Sequence, residues 1–110
     1  MAEITDFMKL DMRIGEIISV EYNDKALKPA YKLRIDFGEE IGIKNSSAQL
    51  CENYQEDDLL GKKVISVVNF PARRVAGFKS EVLVLAAVTR DQGTVLLKPD
   101  VDVKIGSKIL

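Results

Sequence analysis

Between Tyr31 and Phe37 the chain alternates without a break, with Tyr31, Leu33, Ile35 and Phe37 on one parity and Lys32, Arg34 and Asp36 on the other. Successive side chains of an extended strand point to opposite faces, so this stretch is a strand with one apolar and one wet face. A sheet must be built around it.

The flanking segments supply the partners. From Met12, the residues Met12, Ile14, Ile18, Val20 and Tyr22 share one parity against Arg13, Gly15, Ser19 and Glu21, a long half-buried strand in which Gly15 predicts a bulge or tight bend. After the turn residues NDKALKP comes the alternating strand. Gly38 and Glu39 then turn the chain into EIGIKNS, completing a hairpin. Ser46 and Ser47 stand where an N-cap would start a short helix over AQLCENYQ. KKVISVVNF and EVLVLAAVT are apolar on both parities, as expected of strands covered on both faces. The opening ITDFMKLD reads as a helical or irregular lead-in with Thr5 or Asp6 as cap and Phe7, Met8 and Leu10 available for burial. TVLLKPDVDVKIGSKIL reads as a short strand and an extended tail.

The expected class is therefore all-β: a five-stranded Greek-key OB-fold barrel with a short helix between the third and fourth strands and short extensions at both ends. A chain of 110 residues, 46% apolar, fits one domain, with residues 1–9 as lead-in and 95–110 as C-terminal extension.

Composition narrows the chemistry. There is no His, and one Cys, so Ser-His and Cys-His nucleophiles and thiolate-imidazole zinc sites are excluded. No cofactor or metal is expected, and an enzyme would have to rely on carboxylate, lysine or tyrosine chemistry for which no constellation is visible. Glu52, Glu56, Asp57 and Asp58 lack calcium-loop spacing. Cys51 reads as a small apolar residue on the short helix. No apolar run is long enough to cross a bilayer and the N-terminal residues lack an export pattern, so the expectation is a cytoplasmic protein without membrane insertion.

The net charge of −1 hides an uneven distribution. From Leu59 to Ser80 lie Lys62, Lys63, Arg73, Arg74 and Lys79 without an acid, and between Asp24 and Asp36 lie Lys25, Lys28, Lys32 and Arg34, again without one. Two such tracts on neighbouring elements would make a basic face suited to nucleic-acid phosphates. Pro71 and Gly77 predict a loop that carries Arg73 and Arg74 outward, and Phe78 is the aromatic best placed for exposure beside them, with packing beneath the loop favoured over stacking on a base.

The paired segments IDFGEEIGIKNSSAQL and VVNFPARRVAGFKSEVLVL resemble the CsaA-type group of the tRNA-binding domain family, OB-fold modules found alone or appended to aminoacyl-tRNA synthetases. The resemblance covers nearly the whole chain. It implies RNA contact by Asn69, Arg73, Arg74, Lys79 and Ser80, which Lys32 and Arg34 join from the charge argument. Synthetase-appended members carry Gly-Met where this chain has Val82 and Leu83. The resemblance also implies a non-catalytic homodimer, with Ile4, Phe7, Met8, Leu10, Val101, Val103 and Ile109 at the interface, and a chaperone-like role in protein export. Its expected partner is tRNA. The alternative is a chaperone that primarily binds unfolded polypeptides or preproteins, with RNA secondary.

Overall fold

In the computed structural model, which describes all 110 residues, the alternating stretch is strand β2, Tyr31–Asp36. Tyr31, Leu33 and Ile35 are buried, as is Phe37 just beyond, while Arg34 is exposed. It runs antiparallel to β1, Met12–Tyr22, on one side and to β3, Ile43–Ala48, on the other.

The bulge in β1 falls at Ile18 rather than Gly15: Ile17 pairs with Ile35 but Ser19 pairs with Arg34, leaving Ile18 unmatched and turned outward. The extra residue switches the parity of the strand, so Ile17 is the core residue. Gly15 has a different reason to be glycine. A Cβ there would lie 2.6 Å from Ile35 Cγ2 and from Phe37 Cε1, so the missing side chain is the space the core residues occupy.

Ser46 and Ser47 do not cap a helix. They lie in β3, where pairing with Leu33 and Lys32 and burial of Ser46 outweigh the local capping preference. The short helix between the third and fourth strands begins later, as α2, Glu56–Leu59, with Gln55 as N-cap and Asp58 closing a capping box. Leu59 drops from it into the core beside Ile17, Leu33, Ile35, Phe37 and Val64. Each such side chain contributes on the order of 1.5–3 kcal/mol by leaving water.

Strand β4, Lys63–Val67, pairs with the first half of β1, and a two-residue strand, Leu83–Val84, pairs with β4. Between these two lies a separate hairpin of β5, Arg73–Val75, and β6, Phe78–Ser80; Leu83–Val84 is accordingly β7. The sheet order β3-β2-β1-β4-β7 closes on itself where Asn45 O of β3 accepts the amides of Glu81 and Val82. The result is a nearly closed five-stranded antiparallel barrel of OB type. The apolar run EVLVLAAVT is not one doubly covered strand. After β7 it leaves the barrel as β8, Ala86–Thr89, to pair with β9, Gly93–Leu96, and Leu83 and Val88 stay exposed.

The ends meet at the start of β1. Helix α1, Ile4–Met8, has Glu3 as its N-cap, with Asp6 reaching back to the Glu3 amide, and buries none of its side chains. The tail runs beside β1, with Ser107 O accepting from Ile14 N–H, Gly106 N–H donating to Ile14 O and Ile109 N–H donating to Met12 O. Arg13, 8% exposed, ties these parts together: its guanidinium donates to Asp11, to Glu40 of the β2–β3 turn and to Gly106 O.

Candidate nucleic-acid interface

The basic stretch expected as a loop is the β5–β6 hairpin. Arg73 pairs with Ser80, Arg74 with Lys79 and Val75 with Phe78, around a two-residue turn of Ala76 at φ 49° and Gly77 at φ 82°. Two positive φ values in a two-residue turn match the twist of the flanking strands. Arg74 Nη1 donates to Gly77 O at 3.1 Å, holding that guanidinium along the turn.

Side chains fasten the hairpin to the barrel. Ser47 N–H donates to Ser80 Oγ at 3.0 Å, Asn45 N–H donates to Glu81 Oε1 at 3.1 Å, and Ser46 Oγ–H donates to Val82 O at 2.9 Å. Ser47 is the β3 partner of Lys32, and Asn45 the partner of Arg34. A hydrogen-bonded path therefore runs from the wet face of β2 through β3 to the hairpin. Lys32 Nζ also stands 6.0 Å from the centroid of the Phe78 ring, a cation–π contact that bridges the two tracts directly.

Arg73, Arg74 and Lys79 line one hollow of the hairpin, Lys32 reaches the hairpin through Phe78, and Arg34 lies two residues from Lys32 on β2. Lys32 shares its charge with Glu21 at 2.9 Å, while Arg34, Arg73, Arg74 and Lys79 form no ion pair. Unneutralised cations on neighbouring strands raise the local positive potential and can each engage a phosphate oxygen. Lys62 and Lys63 go elsewhere despite their place in the same sequence tract. Lys63 pairs with Asp102 at 2.7 Å and donates to Val103 O, and Lys62 stands over the Tyr54 ring.

Asn69 and Ser80 are held by internal bonds. The Asn69 amide accepts from Asp11 N–H at 2.9 Å and donates to Lys9 O at 2.8 Å, pinning the chain after α1 to the root of the hairpin. Ser80 is 8% exposed. Phe78 is half-buried beneath Lys32; the open ring is Phe70, 44% exposed, just before Pro71. Nothing local in the sequence singles it out, because the restriction that Pro71 places on the residue before it concerns the backbone and not the direction of the ring. Phe70 and Pro71 line a cavity of about 290 Å³ with Ser47, Arg73, Ser80, Glu81, Val82 and Leu83. Arg73, Arg74 and Lys79 line a second, smaller hollow with Ala72.

Of the residues expected at a dimer interface, Ile4, Met8 and Val101 are 71%, 72% and 67% exposed and Phe7 is 36% exposed, an apolar surface that the single chain leaves uncovered. Leu10, Val103 and Ile109 are half-buried. Cys51 follows β3 in a turn rather than on a helix; burial pushes its thiol above the usual range, partly offset by a hydrogen bond with Tyr31, so it stays a protonated packing residue. No helix is long and apolar enough to cross a membrane.

Comparison with known proteins agrees with this fold. Residues 12–108 match the family model described as "Putative tRNA binding domain". The crystal structure of a CsaA chaperone protein from Picrophilus torridus is 52% identical, with a TM-score of 0.95 and full coverage of both chains. That of chaperone CsaA from Bacillus anthracis is 49% identical, with a TM-score of 0.94, over 100% of this chain and 99% of the other. Methionine–tRNA ligase of Thermococcus onnurineus is 36% identical over 104 residues, which are 94% of this chain and 14% of the ligase. The chain thus spans about a seventh of the length of the curated relatives it matches.

Proposed function

This chain belongs to the tRNA-binding domain family, and from that premise we propose that it is a non-catalytic, homodimeric tRNA-binding protein of the cytoplasm with a chaperone-like role in protein export. One observation supports the tRNA reading: Lys32 on β2 meets the hairpin of Arg73, Arg74 and Lys79 at Phe78, so two tracts distant in sequence come into contact, and Arg34, Arg73, Arg74 and Lys79 have no carboxylate partner. Backbone charge and shape are what such a face reads. Asn69 and Ser80 enter as positioning residues, since their polar groups hold the hairpin root and β6 in place.

Dimerisation doubles the basic face, and the exposed apolar side chains of α1 with Val101 supply a surface for it. Filter binding of tRNA over a salt series tests the reading: the expected result is a linear loss of log affinity with log salt, and salt-independent or absent binding would overturn it.

A second reading, a chaperone primarily for unfolded polypeptides, is favoured by exposed Phe70 and Leu83 lining a cavity beside the basic face. The two structural relatives named as chaperones support it as well. Competition decides between one surface and two: if tRNA displaces a bound unfolded polypeptide, the ligands share the face.

A further inference from the structure

We infer that the cavity at the foot of the hairpin is a reading slot for one unpaired base, guanine. The inference rests on the tRNA-binding reading and adds base selectivity to it. Three features of the lining lead there. Phe70 offers an open aromatic ring, and unpaired bases stack on such rings. Arg73 stands at the same cavity without a carboxylate partner, ready for the phosphate that adjoins a bound base.

The third feature is Glu81. It is the one carboxylate lining the cavity, and beside free arginines it works against phosphate binding. Part of its role is structural, because Oε1 accepts from Asn45 N–H. Oε2 has no partner in the protein. An anion with a free acceptor selects the base edge richest in donors. Guanine places N1–H and the 2-amino group side by side on its Watson–Crick edge. Adenine and cytosine set their amino group next to a ring-nitrogen lone pair, and uracil sets its N–H between two carbonyl oxygens. Both arrangements put a lone pair against the carboxylate. Guanine alone meets Glu81 with two adjacent donors and stacks on Phe70 at the same time.

Fluorescence anisotropy at low salt with labelled pentaribonucleotides, four uridines around a central guanosine, inosine, adenosine, cytidine or uridine, tests the slot. Guanosine is expected to bind tightest, about tenfold over uridine, and inosine, which lacks the 2-amino group, falls between them. Glu81→Gln keeps an oxygen for Asn45 N–H but replaces Oε2 by an amino donor, so the guanosine preference should vanish while the salt dependence of tRNA binding persists. Phe70→Ala should weaken all five oligonucleotides alike. Equal binding of the five by the unaltered protein, or a guanosine preference that survives Glu81→Gln, overturns the slot and leaves tRNA binding standing. Loss of all tRNA binding by the unaltered protein overturns both. The guanosine-against-inosine comparison needs no variant, so it stands even if Glu81→Gln fails to fold. An apolar peptide that fills the cavity without any discrimination among the oligonucleotides also overturns the slot, in favour of a polypeptide site.

Discussion

Ser47 N–H donates to Ser80 Oγ at 3.0 Å, and this bond fastens the basic hairpin to β3. Ser80→Ala removes the acceptor and leaves a backbone amide unsatisfied at a half-buried position, at a cost of about 1–3 kcal/mol. The urea midpoint should fall with little change in slope. Affinity for tRNA should fall too, although no charge is removed, because β6 is no longer anchored. The salt dependence should stay that of the unaltered protein.

Arg73→Ala with Arg74→Ala should behave in the opposite way. Stability should move little, since both side chains are exposed. The plot of log affinity against log salt should flatten by roughly one unit for each phosphate no longer engaged. Lys62→Ala is the internal control: its ammonium faces Tyr54 rather than the hairpin, so tRNA affinity should be nearly unchanged. A Lys62 variant as weak as the arginine pair would place the footprint elsewhere.

The turn residue Ala76 occupies left-handed backbone at φ 49°, a conformation that costs an ordinary L-residue roughly 1–2 kcal/mol. Ala76→Asn creates the Asn-Gly pair favoured in such turns. Slower amide hydrogen exchange at Val75 and Phe78 is expected, together with a modest gain in tRNA affinity from a more rigid hairpin. Unchanged exchange would mean that the turn relaxes in solution.

Acid should loosen the junction around Arg13. The hydrogen bond from Arg13, and then its charge, hold the Glu40 carboxyl below the ordinary glutamate range. A carboxyl whose folded value lies below its unfolded one contributes stability above the unfolded value, near 4.3, and loses it as pH falls through the folded value. Glu40→Gln should therefore melt lower than the unaltered protein at pH 7. The gap should close at strongly acid pH, where both forms lack the carboxylate. Melting curves at several pH values check this.

Ile4→Glu with Met8→Glu should convert a dimer to a monomer without lowering the melting temperature of the isolated barrel, because these two side chains of α1 are 71% and 72% exposed in the single chain. Sedimentation velocity reads the outcome. An unaltered protein that sediments as a monomer at all concentrations would overturn the dimer.

The central strands are legible in the sequence because their signal is local and periodic. Tyr31 to Phe37 alternates, and burial follows it residue by residue. The early part of β1 is less clear. A bulge at Ile18 depends on how β1 pairs with β2, and Gly15 reads as the irregularity when it is the gap that Ile35 and Phe37 fill. Ser46 and Ser47 mislead for a related reason: local capping chemistry competes with strand pairing, and only the tertiary partners decide. The basic hairpin is encoded by Ala76-Gly77 between Val75 and Phe78, but a turn without Asn or Asp gives a weak signal. At the site, charge clustering is visible in the tracts, whereas the departure of Lys63 toward Asp102 depends on where the tail lies. Phe78 packs at the hairpin with Lys32 over its ring, as its place among the cations suggests, whereas the open ring of Phe70 depends on how the chain bends at the hairpin root.

The borrowed acceptors on β3 also protect the molecule from its own kind. Strand borders with vacant amides recruit strands from neighbouring copies and grow into fibrils. At Asn45 and Ser47 those amides are answered from within, by Glu81 and Ser80. The two side chains that mount the hairpin therefore also keep the barrel from polymerising along that seam, so a chain altered at both should precipitate during refolding before it shows any defect in binding.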